Sequence, residues 1–259
     1  MPGARQFVVL QKEAVAASPE QLKRAFSSFS NMTDADAVRL AIRAQGILVR
    51  QVNRDEARAL QQALQAEGVG AAYISEEELP RLPEARVLHR LELSEKALIT
   101  YDLLGRSVAI PWTDVALIAA GAVTDIEMSR TQTERTELRF NMVMGVWPKQ
   151  VTESNRRLQV ETQLVLEILL ADGATRFKIE ASRFPFNYVI NEPELSTQEK
   201  FIWLVRELCR CSTEAVFNGG ARWLRAGHQP VPGYNSRQAL HDEMVWLLWR
   251  TTDKDKTAR

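Results

Sequence analysis

The fold of the N-terminal third is decided by the stretch from Asn31 to Ser75, which reads NMTDADAVRLAIRAQGILVRQVNRDEARALQQALQAEGVGAAYIS. Apolar residues recur at helical spacing in two parts of it, and the short apolar runs ILVRQV and AAYI follow these parts. Gly46 and Gly68 end the two predicted helices, and Asn53 caps the second one. The stretch therefore predicts the order helix, strand, helix, strand.

A strand and another helix precede this stretch. The apolar run FVVL, from Phe7 to Leu10, is typical of a strand. Ser18 then stands as a helix N-cap, with Gln21 at the capping-box position. Together these signals predict a β-α-α-β-α-β domain over residues 1–80, and the acidic, proline-containing EEELPRLPEA that follows predicts a linker.

From Val87 onward the apolar period changes to two, which is typical of an antiparallel sheet with one buried face. The capping box STQE, from Ser196 to Glu199, then begins an amphipathic helix. We expect an α+β chain whose second domain, residues 86–226, is a seven-stranded antiparallel barrel with this C-terminal helix capping its open end. The seven runs are RVLHRLEL, ALITYD, SVAIPW, DVALIAAGAV, Leu138–Met144, Leu158–Leu170 and Phe177–Ala181.

A final amphipathic helix is predicted over residues 234–250, and residues 251–259 read as a disordered end. Trp246 and Trp249 flank the apolar stripe of this tail helix. Three interpretations stay open: packing in cis between the domains, docking in trans in the groove of a partner, and lying on a membrane surface.

Composition narrows the function class. The 259 residues carry 33 Lys and Arg against 33 Asp and Glu, and this balance argues against a dedicated nucleic-acid binder, which needs a basic surplus. No window approaches the ~20 apolar residues of a membrane span, so no transmembrane segment is expected, and no secretory signal is visible. Cys209 and Cys211 lie two residues apart in a predicted helix, which disfavours a bridge or a zinc knuckle. We interpret them as reduced thiols of a cytoplasmic protein.

No motif for catalysis, cofactor binding or metal binding is visible. The triplet His241-Asp242-Glu243 cannot form a triad on one helix face. Gly219-Gly220 lacks the spacing of a phosphate loop, and we expect a helix end or a sharp turn there. The protein is therefore expected not to be an enzyme and to need no cofactor, with an enzyme of unrecognised type as a further alternative.

The connection WPKQVTESNRR, from Trp147 to Arg157, joins two predicted strands and contains three basic residues. With Lys149, Arg156 and Arg157 beside Trp147 as an anchor, it fits contact with an anion or an acidic partner. The alternative is a solvated hairpin loop, since exposed loops are commonly charged.

The first domain resembles the fold shared by the C-terminal domain of the bacterial ribosomal stalk protein and the ClpS adaptor. The resemblance covers residues 6–78 and rests on FVVLQKE, ADAVRLAIRAQG at 35–46 and NRDEARALQQALQAEGVGAAYI at 53–74. It implies a small module that binds other proteins.

ClpS holds the α-ammonium of degradation substrates with an Asn-Asp pair after its first strand and a His on its second helix. The matching positions here hold Gln11, Lys12 and Arg43, and two cations would face a cationic ligand. Glu13 keeps an acidic group near that loop. The resemblance thus implies protein binding without the reading of N-terminal degradation signals.

The second domain resembles the pleckstrin-homology-like fold. VAIPWTDVALIAAG, at 108–121, is similar to the strand-Pro-Trp-strand corner of its bacterial members. Members that bind phosphoinositides carry a basic loop after the first strand. In this chain the loops SEKAL and DLLGR each balance one cation with an acid, which does not favour a lipid headgroup.

The leading hypothesis is a non-enzymatic cytoplasmic adaptor that binds another protein of unknown identity. The alternative is a membrane-surface or small-ligand-sensing protein that uses the pleckstrin-homology-like domain, and peripheral membrane contact stays open. The possible partner contacts are Glu13, Arg43, Trp147, Lys149, Arg156, Arg157, Trp246 and Trp249.

Overall fold

The computed structural model describes residues 6–13, 17–27, 33–43, 46–102, 104–141 and 145–257. For residues 42–43, 125–160 and 253–257 it describes the backbone alone. The chain has the expected α+β class. Its first domain contains β1 Phe7–Gln11, α1 Pro19–Ser27, α2 Asp34–Arg43, β2 Ile47–Val52, α3 Arg54–Ala66 and β3 Ala71–Ser75.

The helix starts of the first domain follow the predicted caps. Ser18 and Gln21 exchange backbone-to-side-chain hydrogen bonds at 3.1 and 3.2 Å. Asn53 and Glu56 form a second reciprocal capping box. Each box satisfies backbone N–H groups that the first helical turn leaves without partners.

The first sheet is antiparallel, with β1 in the centre and the order β2-β1-β3. Val9 faces the helices and packs with Phe26 and Leu60. Val8 and Leu10 belong to a different cluster on the opposite face. Because both faces of β1 are covered, its sequence is a continuous apolar run and not an alternating one.

The second domain begins with the strands β4 Ala85–Val87, β5 Leu91–Leu93, β6 Ala97–Tyr101, β7 Ser107–Pro111, β8 Val115–Asn141, β9 Gly145–Leu170 and β10 Arg176–Glu180. It continues with α4 Thr197–Cys211, β11 Val216–Phe217, α5 Gly219–Arg225, β12 Gly233–Tyr234 and α6 Arg237–Thr257. The strands form one sheet of order β5-β6-β7 and another of order β11-β8-β9-β10-β4, with β12 paired to β8.

The seven-stranded barrel is not confirmed, since neither of these sheets closes on itself within the described residues. The strand expected at Leu138–Met144 is not separate: β8 continues to Asn141 and pairs with β9 along its whole length. Met142 and Met144 lie outside the described residues. The residues between the expected strands DVALIAAGAV and Leu138–Met144 are mostly polar. They interrupt the apolar alternation, although the backbone there remains extended.

The core of the second domain lies between its sheets and α4. The predicted capping box is present, because Ser196 and Glu199 cap each other at the start of α4. The buried face of α4 contributes Phe201, Leu204, Val205 and Leu208 to the cluster that contains Ile118, Leu166 and Ile179 of the sheet.

The tail helix α6 packs in cis between the two domains. Leu240, Met244 and Leu247 share one cluster with Val8 and Leu10 of β1 and with buried residues of β8 and β9. The helix also begins later and ends later than expected: it runs from Arg237 to Thr257, so the backbone at 251–257, predicted as a disordered end, is helical. Within the described residues no helix is both long and apolar enough to cross a membrane.

Candidate functional site

An apolar cavity of about 670 Å³ lies between the two sheets of the second domain. Its volume falls within the roughly 300–1,000 Å³ of ordinary ligand pockets. The segment between β4 and β5 forms one wall, the β6–β7 hairpin the second and the β9–β10 hairpin the third. The side chains that define these walls are Val87, His89, Val108, Ile110, Leu170 and Phe177.

The segment between β4 and β5 positions the first wall because it forms hydrogen bonds with both sheets. The backbone N–H of Leu88 donates to Lys178 of β10 at 2.9 Å, and the N–H of Tyr101 in β6 donates to Arg90 at 3.3 Å. Leu88 is buried between these bonds. The two sheets are therefore joined on one side, while β7 remains the terminal strand of its sheet in the described structure.

Two aspartates fix the hairpin turns at the rim. Asp102 accepts hydrogen bonds from the backbone of Leu104 and Arg106 at 2.9 Å each. Asp172 accepts from the backbone N–H and the hydroxyl of Thr175. The bonds from Arg106 lower the pKa of Asp102, and those from Thr175 lower the pKa of Asp172. Both carboxylates therefore stay ionised at neutral pH and hold their turns.

Most of the charge at the cavity is paired. Arg90 donates to Glu92 at 2.6 Å, which lowers the pKa of that carboxyl, and its guanidinium lies 4.1 Å from the ring of Tyr101. Arg106 likewise pairs with Asp102 at 2.6 Å. Arg86 and His89 are exposed at the mouth, so the mouth carries the guanidinium cation of Arg86.

Exposed apolar side chains surround the same opening. Val87 is 46% exposed and Val108 is 58% exposed, and both line the cavity. Leu104 is 78% exposed and precedes Gly105, another lining residue. Exposed apolar side chains gathered at the mouth of a cavity favour a binding site over ordinary surface.

The sequence-predicted contacts lie elsewhere. Glu13 is exposed just after β1, with its carboxylate against Gly70. Arg43 is the last residue of α2, and its side chain is outside the described ones. The predicted loop of basic residues is strand β9 instead, in which Trp147, Lys149, Arg156 and Arg157 pair with Arg139, Glu137, Arg130 and Ser129 of β8; their side chains are also outside the described ones.

Trp246 and Trp249 were expected as possible partner contacts, but they are only 4% and 8% exposed. Both belong to the cluster that joins α6 to the two domains. The expectation fails for both residues because the helix buries them in cis. In this structure they leave no surface for a partner.

The triplet His241-Asp242-Glu243 connects α6 to three separate places. His241 lies 3.0 Å from the buried Glu167 of β9. Asp242 accepts from Arg50 of β2 at 2.7 Å. Glu243 accepts from the backbone N–H of Gly219 at 2.7 Å and from the hydroxyl of Tyr234 at 2.5 Å. Because the three side chains point in different directions, they hold the helix and form no catalytic triad.

Gly219-Gly220 begins a helix, whereas the sequence suggested the end of one. Asn218 caps α5, accepting from Ala221, and its side chain also accepts from the N–H of Ala120. A Cβ at Gly220 would overlap the backbone oxygen of Ala120. The glycine pair therefore allows α5 to approach β8 closely, and the anion at its N-terminus is the carboxylate of Glu243.

The cavity residues were missed because they come from three distant parts of the chain. One local signal was available: Leu104 is an apolar residue in a hairpin turn, where polar residues are usual. Among the described residues no group of three or more His, Cys, Asp and Glu side chains could hold a metal.

Comparisons with protein-family models, with curated proteins and with solved structures gave no significant match. The resemblances to ClpS, to the stalk protein and to pleckstrin-homology-like domains therefore stay interpretations of the sequence pattern. Any functional conclusion rests on the geometry of the chain itself.

Proposed function

We propose that the protein is a non-enzymatic adaptor that binds a segment of another protein at the cavity of its second domain. One observation carries this proposal: of the five large hydrophobic side chains that are exposed in the described structure, Val87 and Val108 line this opening, and a third, Leu104, precedes the lining residue Gly105. Burial of apolar surface is the main favourable contribution to most protein association, and this patch provides it.

The exposure of the rim favours a macromolecule over a small ligand. A molecule that filled only the cavity would cover Ile110 and Phe177 but would leave Leu104 in water, because that side chain stands outside the lining at 78% exposure. A polypeptide segment is long enough to fill the cavity and cover the rim together. Interfaces with an apolar centre and a charged periphery have this arrangement.

We further propose that the second domain is an open variant of the pleckstrin-homology-like barrel. The shared β4–β5 segment and the position of α4 over the core, directly after the strands, support this. The β-α-α-β-α-β order and the sheet order β2-β1-β3 support a ClpS-like or stalk-like first domain. The free thiols Cys209 and Cys211 are compatible with a reducing, cytoplasmic setting.

The test is a selection of displayed peptides. A phage library of random short peptides is panned on the full chain, and peptides that also bind the double variant Val87→Glu/Val108→Glu are removed in each round. Both valines are exposed, so the double variant should keep the thermal unfolding curve of the wild type. We expect enriched peptides that bind the wild type at least about tenfold more tightly, which is about 1.4 kcal/mol.

The control is Trp223→Glu, which places one of the two added carboxylates on an exposed hydrophobic residue outside the cavity. It should bind the selected peptides like the wild type. If no peptide distinguishes the wild type from the double variant, or if Trp223→Glu weakens binding equally, the cavity is not a protein-binding site and the proposed function is wrong.

The cavity volume also favours a second candidate, a small amphipathic anion. Its apolar walls would hold a hydrocarbon chain, and Arg86 at the mouth would attract the charged group. Dodecanoate is a suitable probe, with dodecyl alcohol as the uncharged control. Saturable dodecanoate binding that is lost in Ile110→Trp, a change that fills the cavity, would support this candidate over the peptide.

A further inference from the structure

We propose that the partner segment binds as an added β-strand along the free edge of β7, with apolar side chains two residues apart on the cavity side and an acidic residue toward Arg86. This proposal rests on the proposed function and specifies the form and chemistry of the partner. It is carried by the hydrogen-bond register of β7, by the composition of that strand and by the charge of the opposite wall.

The register shows which backbone groups of β7 are directed outward. At one end of the β6–β7 hairpin the N–H of Asp102 donates to Arg106, and at the other the N–H of Trp112 donates to Lys96. Hydrogen-bonded pairs in an antiparallel ladder recur every second residue. The pairs between these two ends, Thr100 with Val108 and Leu98 with Ile110, are therefore hydrogen-bonded as well.

The outward residues of β7 are consequently Ser107 and Ala109. Their N–H and C=O groups point away from β6, and both residues are exposed. The hydrogen bonds on the other side of β6 agree with this assignment. The N–H of Tyr101, the residue after Thr100, donates to Arg90 just before β5, so the backbone of Tyr101 faces β5 and not β7. No described strand pairs with Ser107 and Ala109 on this side, so the two residues offer a peptide four backbone groups, two from each.

The composition of β7 leaves this edge open. Exposed edge strands in natural proteins usually carry charged side chains, bulges or prolines that prevent pairing with other chains. The strand SVAIP has no charged residue, and its proline, Pro111, stands only at the end. The backbone of Pro111, like that of Ser107 and Ala109, is directed away from β6. Because proline has no N–H to donate, pairing with an added strand would be limited to the residues before it.

The side chains of β7 connect this edge with the cavity. Val108 and Ile110 both line the cavity, as alternate residues of one face. A strand added beside β7 would place every second side chain over the same face, so residues two apart in the partner would enter the cavity. Peptide recognition by strand addition has these two components, with the backbone giving affinity and alternate pockets giving specificity.

The charge of the opposite wall indicates the polar preference. Arg90 and Asp102 of the lining are neutralised by Glu92 and Arg106. Arg86 is exposed on the β4 side of the cavity and makes no ion pair within 4.0 Å among the described residues, although it is near enough to Asp172 to contribute to the lowered pKa of that carboxyl. A carboxylate of the partner that reaches Arg86 would gain a charge-assisted contact, so an acidic residue is expected in the bound segment.

The experiment uses the peptide from the displayed selection and the full chain, with binding measured by fluorescence anisotropy. Ala109→Pro removes one outward N–H but leaves the bonds to β6, since the donor lost does not face β6. Ala109→Ser is the matched control that keeps the N–H. We expect Ala109→Pro to bind about tenfold more weakly than the wild type and Ala109→Ser to bind like it.

A second measurement needs no variant of the protein and decides the case if Ala109→Pro does not fold. The peptide is synthesised with a single N-methyl group at each position in turn, and each version is measured against the wild type. Strand addition predicts a strong loss at every second residue, because only alternate N–H groups face β7. Arg86→Gln should weaken the peptide severalfold but leave a peptide with the acid changed to its amide unaffected.

The outcomes separate this inference from the proposed function. A peptide that depends on Val87 and Val108, yet binds Ala109→Pro normally and shows no alternation on N-methylation, would leave the cavity as a protein-binding site and overturn strand addition. If no peptide depends on the two valines, both proposals are wrong. Loss of affinity in Ala109→Pro together with alternation on N-methylation supports the added strand.

Discussion

The indole N–H of Trp246 donates a 2.6 Å hydrogen bond to the backbone oxygen of Gln11, and this bond joins the tail helix to the central strand of the first domain. Gly46, which lies next to β2, faces the same indole ring and has φ +88°. The first domain and α6 are therefore connected at a point where backbone and ring are in close contact. Protein interiors of this density have little room for added atoms.

The first prediction concerns Gly46→Ala. A Cβ at Gly46 would overlap the ring of Trp246, whereas a Cβ at Gly105, which also has positive φ, would have nothing within 4 Å. Both alanines would have the strain of a left-handed residue, about 1–2 kcal/mol. Gly46→Ala should lower the free energy of unfolding by about 1–3 kcal/mol more, because it overpacks the contact.

The measurement is urea unfolding of Gly46→Ala and Gly105→Ala under the same conditions. The matched strain at Gly105 isolates the contribution of the ring contact. Equal loss of stability in the two variants would mean that α6 does not pack against Gly46 as described.

The second prediction contrasts two neighbouring acids on α6. The Glu243 carboxylate is buried and receives bonds from Gly219 and Tyr234, while Asp242 is partly exposed beside Arg50. Burial, followed by the charge of Glu243, raises the pKa of Tyr234 above its ordinary value, so the phenol remains a donor. In Glu243→Gln one of the two carboxylate oxygens becomes an N–H₂ group, so either Gly219 or Tyr234 would lose its acceptor, and the free energy of unfolding should fall by about 2–3 kcal/mol.

Asp242→Asn is the isosteric control for this change. The same loss of charge at a partly exposed ion pair should alter the free energy of unfolding by only about 0–1 kcal/mol. Thermal unfolding followed by circular dichroism compares the two. A larger effect for Asp242→Asn than for Glu243→Gln would contradict the buried network.

The third prediction concerns acid stability. Glu180 of β10 accepts from Lys178 at 2.8 Å and also lies near Arg183 and Arg237. The bond from Lys178 is the main reason why the pKa of Glu180 is below its ordinary 4.5 in the folded chain. A carboxyl with a depressed folded pKa contributes stability above the unfolded pKa and loses this contribution as pH falls through the folded value.

The free energy of unfolding should therefore decline below about pH 4.5, and the decline should be smaller in Glu180→Gln, with Glu161→Gln as the exposed control. Chemical unfolding at a series of pH values measures this. Parallel declines in wild type and Glu180→Gln would show that the carboxyl keeps its ordinary pKa in the folded state.

Much of the first domain could be predicted because its signals are local. The pairs Ser18–Gln21 and Asn53–Glu56 identify helix starts from residues three apart, and the structure contains both. The central place of β1 could not be read in this way. It follows from pairing with β2 and β3, which lie far away in the sequence.

The second domain shows where local signals mislead. Two glycines are poor helix formers, so Gly219-Gly220 suggested a helix end. Their role is decided by two distant residues. Gly220 must approach Ala120, which is 100 residues away in the chain, and Gly219 donates to the carboxylate of Glu243, which is 24 residues away. The cavity likewise exists only after the β4–β5 segment and the hairpins β6–β7 and β9–β10 meet, and no spacing in the sequence encodes that meeting.

The fourth prediction concerns the two thiols. Burial raises the pKa of Cys209 to about 12, and it raises that of Cys211, which is partly exposed, to a smaller extent. The thiolate is the reactive form, so at about pH 8 only roughly one Cys209 in ten thousand would be ionised. Native protein should therefore react slowly with a disulfide reagent such as dithiobis(nitrobenzoate), and Cys211 should account for the fast part.

The variants Cys211→Ser and Cys209→Ala separate the two contributions. Cys211→Ser should show almost no labelling until denaturant unfolds the chain, when one thiol should react completely. Cys209→Ala should keep the fast labelling of the native wild type. Rapid labelling of native Cys211→Ser would mean that α4 opens to solvent readily, since Cys209 lies in the cluster that packs this helix onto the sheet.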